Sequence, residues 1–398
     1  MTSPEEARPS IGLVLSGGGA RGAYEAGALG YIADELPALL DRVRVITGTS
    51  VGAVNAAYIA SRGLSVSAVH ELEDIWRTLV VDDLVSVDRG GLQELLAAGG
   101  KRLIGRPVRS PPVGLLRVDG IAKLVGEKAD WKGLRKVVKS RRLDAVGVAA
   151  TDIASGRTSF FVDYADELSP RWSRGGDASS VVRTGLGPAH VLASAAIPMI
   201  FPPVEVGGRW YMDGGVRCNT PLSPALGLGA DRLLILSVRA APEARLSAPE
   251  GGFSGFGQIV GKVLDSVFLD RIAFDLDRLE RINDMVEILE ESCGDALTKV
   301  HAALKLRDRP AYRAIRYCHI RPSRDLGALA AEHLAHLSGS GRVLSVARIL
   351  KALFQDDEGT TGDAASFLLF DGEFCGSLIE AGRRDAAAQR TELEKLLA

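Results

Sequence analysis

Ile11-Gly12-Leu13-Val14-Leu15-Ser16-Gly17-Gly18-Gly19-Ala20-Arg21-Gly22 is the stretch that decides how this chain folds. An apolar run that stops abruptly at Ser16 and three glycines reads as a strand buried on both faces, as in a parallel sheet. From Gly22 to Leu36 the apolar residues recur at helical spacing, so the glycines join a strand to a helix. A second run, Val43–Ile46, leads into Gly48-Thr49-Ser50-Val51-Gly52, and the small residues of Ala53–Ser61 follow as a second helix. Two successive strand–turn–helix units predict right-handed βαβ crossovers, hence an α/β fold with a mainly parallel central sheet.

Working outward, Val66–Leu79 and Gly91–Ala98 are patterned as helices, and the Pro/Gly/Arg-rich stretch Gly99–Gly114 reads as a surface loop or flap. Asp119 is a candidate cap for a helix reaching Lys128. Leu143–Thr151 and Thr158–Val162 read as strands, and the polar stretch Asp163–Gly187 reads as a loop. Pro188–Ala195 is a short helix, and strands around Val204 and at Arg209–Met212 flank the hairpin signal Gly207-Gly208. The buried strand Leu233–Val238 is expected to complete the sheet of a catalytic unit spanning residues 11–225. Beyond it, residues 241–398 read as a mostly helical extension of unassigned role. Its stripe runs through Val260, Val263, Leu264, Val267, Phe268, Ile272, Leu279, Ile282 and Val286. Leu297–Lys305, Val343–Phe354 and the charged Ser377–Leu397 continue in helical style, with one strand-like run at Ala314–Ile320.

Bulk composition narrows the function classes. The 48 basic and 50 acidic side chains leave a formal charge of −2, so no global field draws the protein to nucleic acid or anionic lipid. The basic cluster Lys132–Arg142 reads as a solvated helix face. Cys218, Cys293, Cys318 and Cys375 are far apart and show no CxxC spacing, which argues against a zinc site and a disulfide framework. Met1–Ser10 is polar and acidic rather than a basic stretch before an apolar core, unlike a secretory signal. No apolar run is long enough to cross a bilayer. The expectation is a cytoplasmic protein whose contact with membranes, if any, is peripheral; its oligomeric state is not legible.

Three local features carry chemistry. Gly17-Gly18-Gly19-Ala20-Arg21-Gly22, between strand and helix, can turn successive N–H groups into one concavity that binds a phosphate or an oxyanion. Alone it also fits the G-x-G-x-x-G dinucleotide pattern. Gly48-Thr49-Ser50-Val51-Gly52 fits G-x-S-x-G at a strand–helix joint, the context in which a serine is presented as a nucleophile at a helix N-terminus. Asp213-Gly214-Gly215 follows a strand. It reads either as a turn aspartate with permissive glycines or as a carboxylate able to reach Ser50.

Taken in order, these stretches resemble the three motifs of the patatin-like phospholipases: G-G-G-x-R-G, G-x-S-x-G and D-G-[GA]. The flanks are similar too: Gly22-Ala23-Tyr24-Glu25-Ala26-Gly27-Ala28-Leu29, Ala193–Pro198 with Phe201-Pro202-Pro203, and Asn219-Thr220-Pro221-Leu222. The resemblance covers about residues 11–225. It implies a three-layer α/β/α patatin-like fold and a serine acyl-ester hydrolase of the phospholipase A or lysophospholipase type. The substrate would be a lipid or another acyl ester, with no metal and no cofactor. By the same resemblance Ser50 attacks the ester carbonyl while Asp213 accepts its proton. Gly48 and Gly52 form the elbow, and Gly214 and Gly215 complete the base motif. The oxyanion is assigned to the loop Gly17, Gly18, Gly19, Arg21 and Gly22, with the Gly18 and Gly19 amides as donors. An ordinary carboxylate is a weak base for a serine hydroxyl, so this mechanism requires a desolvated Asp213 with a raised pKa.

Three other readings compete. An α/β-hydrolase with a Ser-His-Asp triad needs a late histidine. His301, His319, His333 and His336 are the candidates, and none lies in a glycine-flanked loop after a clear strand. His319 and His190 read as packed residues. A nucleotide-binding protein needs an acidic residue ending the second strand, where this chain has Thr47-Gly48-Thr49-Ser50. A non-catalytic lipid-binding regulator would share the fold, but every matched motif position is intact.

Overall fold

The computed structural model describes residues 9–87, 116–168, 170, 179–241, 244, 272–307, 309–339 and 362–398. Its strands are β1 (Ile11–Leu15), β2 (Val43–Thr49), β3 (Ser86–Val87), β4 (Leu116–Arg117), β5 (Ala145–Asp152), β6 (Thr158–Tyr164), β7 (Ser179–Arg183), β8 (Val204–Val206), β9 (Arg209–Asp213), β10 (Arg232–Leu236) and β11 (Arg316–Ile320). The central sheet runs β11-β10-β1-β2-β5-β6-β7, and β3 and β4 form a separate pair. From β11 to β5 all neighbours are parallel. Strand β6 turns back antiparallel to β5, and β7 lies parallel to β6.

The unbroken apolar runs are buried on both faces, as their composition predicts. In β1, Ile11, Leu13 and Leu15 enter one core while Val14 enters the other; in β10, Leu234 and Leu236 oppose Leu233 and Ile235. Helices cover both cores and give three layers. The helices that matter below are α1 (Gly22–Glu35), α2 (Val51–Ser61), α3 (Val66–Arg77), α4 (Asp119–Lys128), α5 (Pro188–Ser194), α6 (Leu222–Gly227), α7 (Ile272–Ser292), α8 (Leu326–Gly339), α9 (Gly362–Leu368) and α10 (Gly372–Ala388). Helices α6 and α7 cover one core through Leu222, Ala225, Ile272 and Leu279. The rest pack on the other.

The described residues beyond 241 are built into these layers. Helix α10 lies along α1, where the Tyr24 hydroxyl donates to Asp385 at 2.9 Å. Arg383 on α10 grips Glu73 on α3 with two bonds of 2.7 and 2.6 Å, a bidentate pair. Strand β11 adds to the sheet beyond β10, so Leu233–Val238 does not close it.

Other departures have local causes. Strand β2 runs past Ile46 to Thr49, because Thr47 and Thr49 direct their hydroxyls to the Pro221 and Cys218 carbonyls while their backbones pair with β5. Strand β7 arises inside the expected loop Asp163–Gly187; every residue in it is exposed, so it carries no burial pattern. Asp119 is the first helical residue of α4 rather than its cap, which falls at Val118. The hairpin at Gly207-Gly208 forms as expected, with φ of +58° and +77°. Gly91–Ala98, Gly99–Gly114, Val260–Phe268 and Val343–Phe354 lie outside the described residues.

Candidate active site

Ser50 joins β2 to α2 in a strained conformation, φ +54° and ψ −125°, a placement that costs about 1–3 kcal/mol and persists only when the surroundings enforce it. The enforcement is visible. A Cβ on Gly48 would stand 2.4 Å from the Gly52 carbonyl oxygen, and one on Gly52 would stand 2.5 Å from the Leu15 and Ser16 carbonyl oxygens. Only glycine lets the turn fold this tightly against β1. From the other side the Ser50 amide donates to Ser194 Oγ at 2.9 Å, and Ser194 Oγ donates to the Ala149 carbonyl at 2.5 Å. Ser194, on α5, thus ties the turn to β5.

Sheet register brings Asp213 to the same place. Thr49 pairs with Ala149 of β5, and Asp213 of β9 pairs with Ala150, the next residue. Ala150 and Thr151 already pair with β6 on the other edge of β5. Strand β9 therefore occupies the edge that β2 vacates, and Asp213 meets the end of β2 beside Ser50. The backbone is fastened there by Asp213 N–H to the Ala196 carbonyl, 2.8 Å, and by Thr151 Oγ1 to the Asp213 carbonyl, 3.0 Å.

The Asp213 side chain is fully buried. Its Oδ1 accepts the Gly215 amide at 2.7 Å, while Oδ2 is outside hydrogen-bond geometry with every described group. Burial pushes its pKa up to about 7, opposed by the Ser50 hydroxyl and the Gly215 amide. The Ser50 hydroxyl is near enough to favour the ionised form of this carboxyl, although it does not meet Oδ2 in hydrogen-bond geometry.

The glycine loop closes the site. Gly17 packs between Ser50 Cβ and Asn219, with Gly17 N–H donating to the Asn219 carbonyl at 3.1 Å and Asn219 Nδ2 to the Gly17 carbonyl at 3.2 Å. Gly19–Arg21 form a short 3₁₀ turn at the start of α1, and the Gly18 and Gly19 amides bond to no described residue. Gly22 begins α1, as the motif required.

A buried frame holds this loop from behind. Glu25 Oε1 accepts the Ser16 amide at 2.7 Å, Asn55 Nδ2 donates to Glu25 Oε2 at 3.0 Å and to the Gly22 carbonyl at 3.1 Å, and Trp76 Nε1 donates to Asn55 Oδ1 at 3.1 Å. Burial pushes the Glu25 pKa up to about 8 against its bonds to Asn55 and Ser16. For both Glu25 and Asp213 the fold favours the protonated form. That contribution to stability is full below the ordinary carboxylate range and is lost as pH rises through about 7 and 8.

Beside Ser50 opens an apolar cavity of about 270 Å³. Gly19 and Ser50 line it, α2 contributes Val51, Val54 and Tyr58, α4 contributes Ala122, and Trp76, Trp131 and Phe370 complete its walls.

None of the six histidines bonds to Ser50 or Asp213. His319 bonds to Ser237 at 2.7 Å, and burial pulls its pKa down to about 4. His190 accepts the Gly187 amide, His301 bonds to the Tyr312 carbonyl, and His336 is exposed on α8. Among the described residues one group has the spacing to meet a metal ion: His333, Asp371 and Glu373. Asp371 Oδ1 there already bonds to His333 and accepts two amides at the start of α10.

Among the described residues no helix is long and apolar enough to cross a membrane. A family model described as patatin-like phospholipase matches residues 13–226, more than half of the chain. The uncharacterized protein YqhO of Bacillus subtilis (strain 168) is 27% identical over 214 residues, covering 52% of this chain and 64% of that protein. Among solved structures, VipD from Legionella pneumophila is similar over 93% of this chain and 69% of its own, at 15% identity and a TM-score of 0.35. Human GIVD cytosolic phospholipase A2, in complex with methyl gamma-linolenyl fluorophosphonate, covers 100% of this chain and 60% of its own, at 14% identity and a TM-score of 0.40. With the family model spanning the glycine loop, the Ser50 turn and the Asp213 turn alike, the chain belongs to the patatin-like phospholipase family.

Proposed function

We propose that this protein hydrolyses acyl esters with Ser50 as nucleophile and Asp213 as its base, through an acyl-Ser50 intermediate. The observation that carries this reading is the Asp213 carboxyl, buried beside Ser50 with its pKa pushed up to about 7. A base in that range can take the serine proton during attack and return it to the leaving alcohol. Water then attacks the acyl-Ser50 carbonyl while Asp213 accepts its proton. Each tetrahedral oxyanion falls to the Gly18 and Gly19 amides, which are fixed in place before reaction.

The pH profile tests this base. Ionised Asp213 is the active form, so kcat/KM for a nitrophenyl ester should rise about tenfold per pH unit below its pKa and level off above about 7. A profile flat from pH 5.5 to 8 would mean that the base has an ordinary carboxylate pKa or is another group.

Supporting a medium-chain acyl substrate is the cavity at Ser50. A dry cavity of about 150 Å³ holds the six carbons of benzene, so 270 Å³ corresponds to about eleven carbons. Val51 to Tyr58 spans about 10 Å of helix, and a fully extended chain advances about 1.2 Å per bond. Length and volume together point to an acyl chain of roughly eight to eleven carbons. In a series of nitrophenyl esters from acetate to palmitate, kcat/KM should peak within that range. Ala122→Phe, which narrows the cavity, should move the peak to shorter chains. Activity climbing steadily to palmitate would refute the assigned acyl site.

A further inference from the structure

The matched stretch ends at residue 226, yet the glycine loop is gripped by residues far beyond it. Arg21 Nε donates to Ser366 Oγ at 2.8 Å, and both side chains are buried. The Arg21 guanidinium carbon sits 4.1 Å above the centre of the Phe367 ring. The Phe367 carbonyl oxygen presses on Gly19 so closely that a Cβ there would stand 2.0 Å from it, and Gly19 holds φ +58°. A little further on, Phe370 stacks on Trp76 with centroids 6.2 Å apart and planes 15° from parallel. Trp76 is the outer member of the Glu25–Asn55 frame. The loop is thus held on one side by α1 to α3 and on the other by α9.

From this we infer that Ser366 and Phe367 are positioning residues for the oxyanion donors, so that α9 is part of the active site. The physical need is specific. Consecutive glycines are the most flexible backbone available, while an oxyanion hole works only if its N–H groups are already aimed when charge develops. A hydroxyl and a ring hold Arg21 while a carbonyl presses on Gly19, so both ends of the short turn are constrained. Ser366 and Phe367 act through Arg21 and Gly19 and need not touch substrate. This inference rests on the proposed Ser50–Asp213 chemistry.

The test uses the full chain with Ser366→Ala and Phe367→Leu, assayed with nitrophenyl octanoate. A loop displaced by a fraction of an ångström should lower kcat by about 10- to 100-fold, with KM changed by less than about twofold. The rise of rate with pH should keep its midpoint near 7, because Asp213 is untouched. Arg21→Lys should behave like Ser366→Ala, and combining these two should be little worse than either alone, since both remove the same Arg21–Ser366 link. Wild-type kcat in both Ser366→Ala and Phe367→Leu would overturn the inference. So would a loss of kcat that only follows the fraction of unfolded protein at the assay temperature. Ester hydrolysis surviving in Ser50→Ala would instead sink the proposed chemistry, whatever the α9 variants do.

Discussion

Ser50→Ala is expected to lower kcat for a nitrophenyl ester by about 10⁴- to 10⁶-fold, the range seen when a serine nucleophile is removed. No acyl intermediate can form without Oγ, and what remains is direct attack by water on an ester lying against the glycine-loop amides. Binding should change little, because the cavity and the loop are untouched. The fold should persist: alanine keeps the same Cβ in the same strained backbone, and the Ser50 amide retains its bond to Ser194. Initial rates, with circular dichroism as the control for folding, measure this directly. Activity within tenfold of wild type would remove Ser50 from the chemistry.

Asp213→Asn should cost about 10⁴-fold in kcat, comparable to other triad or dyad acids replaced by their amides. The amide oxygen can still accept the Gly215 amide, but it cannot take a proton from Ser50. Alongside the loss of rate, the rise of activity through pH 7 should disappear. Stability should move the other way. Above pH 7 the wild-type fold carries an ionised carboxylate that burial disfavours. The asparagine variant is therefore expected to melt no lower than wild type at pH 8, with a smaller dependence of melting temperature on pH. A variant that keeps full activity would place the base elsewhere.

The Ser50 turn is legible in the sequence because its signal is local, whereas Asp213 reads as more than a turn only beside the other two motifs. The apolar run Ile11–Leu15 and its glycines announce a buried strand and its turn, and the Ser50 turn repeats the pattern. What the sequence hid are contacts between distant residues. Ser194 looks like any small residue at a helix end, yet it bridges the Ser50 amide and β5. Glu25 and Asn55 lie in helices of small residues, where nothing marks them as a buried polar pair. Ser366 meets Arg21 across 345 positions of chain. In the sheet, β7 leaves no pattern to read because none of its residues is buried. The run at β11 reads as a strand, but its place beside β10 follows from topology alone.

The proposed reaction carries an acyl group on Ser50 and discharges it with the help of Asp213. The most direct measurement mixes enzyme with a molar excess of nitrophenyl octanoate, quenches in acid after milliseconds to seconds, and maps the acylated peptide by mass spectrometry. The expected result is one octanoyl group per chain on the peptide containing Ser50, appearing with a matching burst of nitrophenol in wild type and absent from Ser50→Ala. Stoichiometric acyl transfer to any other residue, or the same transfer in Ser50→Ala, would contradict it.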